Sequence, residues 1–295
     1  MLQLISPLYR LQEALHHTSK RAALAPAETK LEKALGKAFR AQGKSFVGGL
    51  VQLASQFPTD QEERGFTITP GGVLRPALRS LCEGLAVDDT DSYFDQADDD
   101  SFDLFQKPIE DAAKAMLTAG AGNLLAELHY DLAFDLSNPR AVVYIEQHGA
   151  ALIAKINQET RSQIKTLLRQ AVDEGWSYRK TARAIIARYG EMATGVPGNF
   201  TSRAERIAVT ECGEAYEEGN WIPVQDLAEG GVKMEKSWDT APELSKTGPC
   251  AEICEPNGAE GWIPADQLHQ SGDDHPLGHV GCYCDERYQV APEKG

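Results

Sequence analysis

The sequence predicts an α+β protein, in which a mainly α-helical N-terminal and central region precedes a small α+β C-terminal domain. Apolar residues recur at intervals of three and four through the first two regions, which is typical of amphipathic helices. Between Val232 and Trp238 this period gives way to alternation, which indicates a strand. Four of the cysteines lie near the C-terminus, where large apolar residues are few, so we expect a bound zinc ion to stabilise that domain.

Length and composition exclude several classes of protein. A chain of 295 residues with 42% hydrophobic residues can bury more than one core. The net charge of -15 argues against a protein whose main task is to coat nucleic acid. No segment approaches the roughly 20 apolar residues of a membrane span, and the N-terminus lacks the pattern of a signal peptide. We therefore predict a cytoplasmic protein without membrane contact.

Charge and periodicity predict four regions. They are an N-terminal helical region at 1–87, an acidic linker or loop at 88–107, a central helical domain at 108–200 and an α+β domain at 201–295. The linker prediction depends on Asp88–Asp103, which contains eight Asp and no Lys or Arg. Such a run repels itself and is typical of a solvated segment.

The N-terminal region is predicted to form helices with a break at Ala25-Pro26. After the break, an apolar face begins at Leu31 and continues to Ala38. A different face, about 80° wide, carries cations at intervals of three and four. These are Lys30, Lys33, Lys37, Arg40 and Lys44. This basic stripe is either a solvated helix face or a contact surface for phosphates or an acidic partner.

Helical spacing continues through the central region, with one boundary expected at Pro139. Ser202-x-x-Glu205 has the pattern of a capping box, so a helix is predicted to start there and to end near Gly219. On this helix the adjacent acids Glu217 and Glu218 are predicted to be solvated. Strands are expected from Val232 to Trp238 and in the closing stretch 282–290.

The C-terminal cysteines have the composition of a metal site. Thiolate and imidazole are the ligands that zinc prefers, and their clustering in a reducing compartment favours metal over disulfide. The predicted ligands of a structural zinc ion are Cys250, Cys254, Cys282 and Cys284, with His279 competing for one position. Free thiols, disulfides and a catalytic metal are the alternatives. Cys82 and Cys212 are predicted to be buried core thiols.

Several collinear segments resemble one family. They are Phe134-Asp-Leu-Ser-Asn-Pro139-Arg-Ala141, Tyr144-Ile145, Arg203-Ala-Glu-Arg206-Ile-Ala-Val-Thr210-Glu211, Lys236-Ser-Trp238-Asp-Thr240 and the terminal Cys/His pattern. Over about residues 130–290 the chain is similar to the minor head proteins of tailed phages, the head-morphogenesis family that includes the Mu F-like proteins.

The resemblance implies a low-copy virion component inside the head, made in the host cytoplasm and associated with the portal protein and the major capsid protein. It implies roles in head assembly and in packaging or ejection of double-stranded DNA, and no enzymatic activity. Arg206, Thr210, Glu211 and Trp238 match the family's motifs. We expect Arg206, Thr210 and Glu211 to anchor their helix to the terminal domain, through Thr210 or Glu211 meeting backbone groups near the Cys/His cluster.

Two other functions fit some of the residues. A metal-dependent nuclease or toxin-like effector would need His275, His279, Asp273 and Asp274 to converge in a cleft with an open metal position. A structural site would instead show four protein ligands and no cavity. A plain DNA-binding adaptor would depend on the basic stripe and would bind DNA with steep salt dependence.

Overall fold

The computed structural model describes residues 7–56, 87–174, 176, 178–194, 202–241 and 248–292. Cys82 lies outside these residues. The chain divides into two compact units, which are described separately. Unit 1 comprises Met1–Leu31, Ile109–Gln147 and Glu205–Gly295, and unit 2 comprises Glu32–Pro108 and His148–Ala204.

The predicted fold class is confirmed, since long helices precede a small C-terminal sheet. The helices are α1 Pro7–Gln56, α2 Val87–Glu127, α3 Pro139–Asp173, α4 Tyr178–Thr194 and α5 Arg203–Glu229. They are followed by β1 Met234–Asp239, a π-helical turn Cys250–Cys254, α6 Glu255–Ala259, β2 Ile263–Pro264 and β3 Asp285–Val290. The three strands form an antiparallel sheet in the order β2-β1-β3.

The sequence predicted a helix break at Ala25-Pro26, but helix α1 continues through Pro26. The proline is exposed, while Leu24 and Leu31 on either side of it are buried. Proline within a helix removes one backbone hydrogen bond and costs about 3 kcal/mol. Because burial of a leucine side chain contributes roughly 1.5–3 kcal/mol, packing on both sides can offset that loss and keep the helix continuous.

The prediction of an acidic linker was wrong, because Asp88–Asp103 lies within helix α2. Within unit 2, Phe94 and Phe105 are buried on one side of α2, against Phe46 and Phe39 respectively. Acids on other sides of the helix are neutralised by α3, where Arg161 lies 2.6 Å from Asp98 and Lys165 lies 3.0 Å from Asp91. Asp91, Asp95 and Asp98 are therefore paired with cations of α3, which reduces the repulsion between like charges along the helix.

Helix α5 also continues through Gly219, where the sequence predicted its end. In unit 1, a Cβ at Gly219 would lie 2.4 Å from the Leu117 carbonyl oxygen, and one at Gly120 would lie 2.1 Å from the Tyr216 carbonyl oxygen. Neither distance leaves room for a side chain. The two glycines therefore permit close backbone contact between α2 and α5.

The sheet packs beside α5 within unit 1. Met234 of β1 and Tyr288 of β3 belong to one buried cluster with Leu124 and Val224. β1 pairs with β2 on one side and with β3 along its whole length on the other. The predicted strands and the predicted helix start at Pro139 are confirmed. Among the described residues, no helix is both long and apolar enough to span a membrane.

Candidate metal centre

Three cysteine thiols meet in the interior of the C-terminal region. Cys254 ends the π-helical turn, and Cys284 stands immediately before β3. Cys282 precedes Cys284 by two residues, and its amide donates to the carbonyl oxygen of His279 at 3.1 Å. All three cysteines are buried, with exposed fractions of 0%, 2% and 0% for Cys254, Cys282 and Cys284. The π-helical turn and the segment just before β3 therefore supply the three thiols of one site.

The spacing of these thiols suits a tetrahedral metal ion. The three Sγ atoms all lie within 4.8 Å of one another, and those of Cys254 and Cys282 are 3.7 Å apart. Zinc–sulfur bonds of about 2.3 Å in tetrahedral geometry require sulfur atoms about 3.8 Å apart. A disulfide would require about 2.05 Å, and the five described cysteines are unbridged. The group can therefore hold a metal ion.

The thiols share hydrogen bonds that favour one thiolate. Hydrogen bonds from Cys254 and Cys284 lower the pKa of Cys282 to about 4. The same bond with Cys282 raises the pKa of Cys254 far above its ordinary value. For Cys284, the bond with Cys254 favours the thiolate, but the bond with Cys282 and burial together raise its pKa. A bound cation would replace the shared protons, since thiolates are the ligating form.

The other two predicted ligands contact each other. The Sγ of Cys250 lies 3.3 Å from Nε2 of His279, while Nδ1 of that histidine lies 3.1 Å from the Val280 carbonyl oxygen. If the histidine donates from Nδ1 to Val280, Nε2 is free to accept from the thiol or to bind a metal. The group of thiols whose sulfur atoms all lie within 4.8 Å of one another includes neither Cys250 nor His279.

Thr210 joins helix α5 to the segment that carries the terminal ligands. Its hydroxyl donates to the Arg206 carbonyl oxygen at 2.8 Å and accepts from the Gly281 amide at 3.0 Å. Gly281 has a φ of 72°, which a residue with a side chain rarely adopts, and directly precedes Cys282. The expectation that Thr210 would meet a backbone group near the Cys/His cluster is therefore confirmed. Arg206 is exposed, and Glu211 is half-buried.

Trp238 covers the thiol cluster from β1. It is 2% exposed and forms one hydrophobic cluster with the three thiols, against which Leu277 packs. The edge of its ring faces His269 at a centroid distance of 5.1 Å. The indole excludes water from the sulfur atoms, which strengthens thiolate–metal attraction in a low-dielectric site.

A buried ion cluster that the sequence analysis missed adjoins the thiols. Lys20 of α1 is 2% exposed, and its Nζ donates to the Glu217 carboxylate and, at 2.5 Å, to the Cys284 carbonyl oxygen. Asp285 Oδ1 lies 3.5 Å from the same Nζ. Burial alone would lower the pKa of Lys20, but Asp285 and Glu217 raise it above its ordinary value. Lys20 therefore stays charged and fixes the backbone at a candidate ligand.

Glu217 corrects a second expectation, since it is fully buried and not solvated. Besides Lys20, its carboxylate accepts from the Glu286 backbone amide at 3.2 Å. Glu218, the next residue, is partly exposed and lies 3.3 Å from Nε2 of His275. Glu217 and Glu218 are thus adjacent on one helix but contact different groups. No local pattern in the sequence distinguishes the buried acid from the partly exposed one.

A further buried group stabilises the loop between β2 and β3. His269 lies between two carboxylates, with Nδ1 at 3.0 Å from Glu260 and Nε2 at 3.1 Å from Glu286. Burial raises the pKa of Glu286, and the hydrogen bond with His269 opposes that rise. This histidine was not singled out in the sequence because it stands outside the Cys/His spacing.

The residues required for a nuclease-like site do not converge. His275 contacts Glu218, whereas His279 contacts Cys250. The Asp273 carboxylate accepts from the Ser271 hydroxyl at 2.7 Å, and Asp274 is exposed, with its carbonyl oxygen accepting from Lys236. Among the described residues, these four side chains form no common metal-binding group.

The basic stripe is exposed along its whole length. Its members, Lys30, Lys33, Lys37, Arg40 and Lys44, lie on α1 and make no ion pair with any residue that the structure describes. The apolar residues predicted for another face are mostly buried, with Leu31, Leu35 and Ala38 at 1%, 0% and 0% exposure. The helical faces predicted from the sequence are therefore confirmed.

Comparison with known proteins identifies no relative. No protein-family model, curated protein or solved structure matches the chain.

Proposed function

We propose that this protein is a minor head protein of a tailed phage, a low-copy component inside the head that associates with the portal protein and the major capsid protein. It would act in head assembly and in packaging or ejection of DNA, with no enzymatic role. The observation that carries the proposal is the hydrogen bond between Thr210 and Gly281. It joins two segments that resemble separate motifs of the head-morphogenesis family.

The other segments of the resemblance lie in the same unit and support a structural role. Asn138 caps α3 by accepting from the Arg140 amide at 2.9 Å. The Arg140 side chain reaches α5, with Nη1 2.5 Å from Asp226 and Nη2 2.5 Å from Glu229. Trp238 covers the thiols. These contacts hold secondary-structure elements against one another. A rigid domain of this kind favours a role in binding other head proteins.

We further propose that the thiol cluster holds a structural zinc ion. Cys254, Cys282 and Cys284 would be three ligands, and Cys250 or His279 the fourth. Three sulfur donors with their observed burial and spacing fit zinc better than they fit harder cations, which take oxygen ligands. When bound, zinc would cross-link the π-helical turn to the start of β3. A buried site of this kind offers a substrate little access, which supports a structural role over a catalytic one.

Metal analysis of the purified full chain tests the zinc site. We expect about one equivalent of zinc, retained in Cys212→Ala, whose buried thiol lies apart from the cluster, and lost in Cys282→Ala. Cys250→Ala and His279→Ala identify the fourth ligand by which of them lowers zinc affinity. Less than about a tenth of an equivalent in protein prepared without added metal would contradict the proposal.

Particle composition tests the assembly role. Tailed particles purified from a culture of the organism that encodes the chain should contain it in few copies, and chemical crosslinks should join it to the portal protein. Particles that assemble, fill with DNA and infect normally without the chain would overturn the proposal.

A pair of threonine variants ties this test to the structure. Thr210→Val removes the hydroxyl that accepts from Gly281, and we expect it to lower incorporation into particles. Thr118→Val is the matched control, since the Thr118 hydroxyl is exposed and bonds only to the Lys114 carbonyl oxygen of its own helix. Equal incorporation of both variants would remove the support given by the Thr210 contact.

A further inference from the structure

The basic stripe is unusual because its charges have no counterions among the residues that the structure describes. Lys33, Lys37 and Lys44 have no ion pair with described residues, and Arg40 bonds only to the Gly36 carbonyl oxygen of its own helix, at 3.3 Å. The chain as a whole has an excess of acids, with 44 Asp and Glu against 29 Lys and Arg. Other cations form ion pairs with these acids, as Arg140, Arg161, Lys165 and Arg203 do.

The four cations of unit 2 form one straight row. At about 100° per residue, the four side chains fall within about 60° of arc around the axis of α1. Lys30, one turn earlier on the helix, widens this arc to about 80°. From Lys33 to Lys44 the row extends about 16 Å, since each helical residue rises about 1.5 Å. That length corresponds to about five phosphates of one DNA strand at roughly 3.4 Å along the duplex axis.

The acidic helix of the same unit does not neutralise the row. Asp98 and Asp100 of α2 accept hydrogen bonds from Gln42 and Ser45 of α1, at 2.7 Å and 2.5 Å. On the helical wheel, Gln42 and Ser45 lie about 170° and 110° from the centre of the row of four cations. The acids therefore approach α1 from other sides and leave the cations facing solvent.

The composition of this surface distinguishes between partners. Protein interfaces usually have an apolar or aromatic centre, whereas DNA interfaces are polar and strongly positive. Among the described residues, α1 contributes no large hydrophobic side chain to those that are strongly exposed. Single-stranded nucleic acid would also need exposed aromatic rings on which its bases stack.

We propose that the four cations of the basic stripe in unit 2, Lys33, Lys37, Arg40 and Lys44, bind the sugar–phosphate backbone of double-stranded DNA without reading its sequence. The proposal concerns a second partner and is tested on the purified full chain, so it does not depend on the assembly role proposed above. Four phosphate contacts predict a slope of about -3.6 for log K against log salt. Affinity should therefore fall roughly 150-fold between about 50 and 200 mM salt.

Fluorescence anisotropy with a labelled duplex of mixed sequence measures this dependence. In Lys33→Glu/Lys37→Glu/Arg40→Glu one cation of the four remains, so we expect a slope near -0.9 and a fall of only about 3- to 4-fold over the same range, with far weaker binding at low salt. The neutral variant Lys33→Gln/Lys37→Gln/Arg40→Gln should give the same slope. It keeps the test valid if charge reversal disturbs folding.

Lys155→Glu/Arg169→Glu/Arg183→Glu is the matched control, because it changes the net charge equally at exposed positions of α3 and α4. This control should keep a steep salt dependence close to that of the native chain. Equal loss of binding in both reversed variants would overturn the proposal, as would absence of duplex binding by the native chain at low salt. Poly-glutamate that competes as strongly as unlabelled duplex would instead assign the stripe to an acidic protein.

Discussion

Replacement of Lys20 by methionine tests the buried ion cluster beside the thiols. The substitution keeps the length of the side chain but removes the charge that faces Glu217 and Asp285, both 0% exposed. Both buried carboxyl groups would then lose the ammonium group that they contact, and the Cys284 carbonyl oxygen would lose its donor. Removal of one partner from a buried ion pair costs about 3–5 kcal/mol, and we expect a loss of this order here.

Urea unfolding of the full chain measures this loss. Trp221, Trp238 and Trp262 all lie in unit 1, so a Trp176→Phe background lets tryptophan fluorescence report that unit alone. Lys30→Met, an exposed lysine on the same helix, is the control and should change the free energy of unfolding by less than about 0.5 kcal/mol.

A double variant separates lost charge from lost packing. Lys20→Met/Glu217→Met replaces the ion pair with apolar groups of similar size, an exchange that is often nearly neutral, and it should recover part of the stability. Asp285 and the Cys284 carbonyl oxygen still lack their contact with Lys20 Nζ in this variant, so recovery should be incomplete. If Lys20→Met unfolds within about 1 kcal/mol of Lys30→Met, the reasoning about a buried, charged lysine is refuted.

Three other perturbations give distinct results. Gly219→Ala should destabilise unit 1 by about 1–3 kcal/mol because its Cβ meets the backbone of α2, whereas Gly122→Ala, with open space around it, should be neutral or slightly stabilising in the same urea titration. Burial alone would lower the pKa of His275, but its hydrogen bond with Glu218 raises it. The stability that the pair contributes is therefore present below about pH 6.5 and lost as pH rises through the folded pKa. His275→Gln should thus destabilise more at about pH 6 than at about pH 8.5, and a pH-independent difference would contradict the pairing. A zinc chelator should lower the melting temperature of the native chain but not that of a variant lacking the three clustered thiols, and equal shifts would count against a bound metal.

The sequence predicted features that depend on local periodicity. The apolar face of α1, the start of α3 at Pro139 and the alternation of β1 follow from residues close together in the chain. The three clustered thiols were also named in advance, because cysteine is rare and its chemistry restricts its roles. The partner of Thr210 could be anticipated only through a family resemblance.

Features that depend on distant contacts were missed. Glu217 has the same local surroundings as Glu218, but its carboxylate contacts Lys20 and the Glu286 amide, which are 197 and 69 residues away. The acidic run of α2 was predicted to be a linker because of its charge. Phe94 and Phe105, which are buried on one side of the helix, were given too little weight. The cations that pair with this run come from α3, more than 60 residues further along the chain. Pairing at such distances leaves no signal in a single sequence.

The ion cluster has a consequence for protein synthesis and for fragment design. Lys20 leaves the ribosome long before Glu217 and Asp285 exist, so its ammonium group must stay hydrated until nearly the whole chain has been made. A C-terminal fragment starting at Ser202 would retain every clustered thiol but would lack the ammonium group that contacts Glu217 and Asp285. Expression of that fragment together with a separate peptide containing residues 7–31 would supply the missing charge.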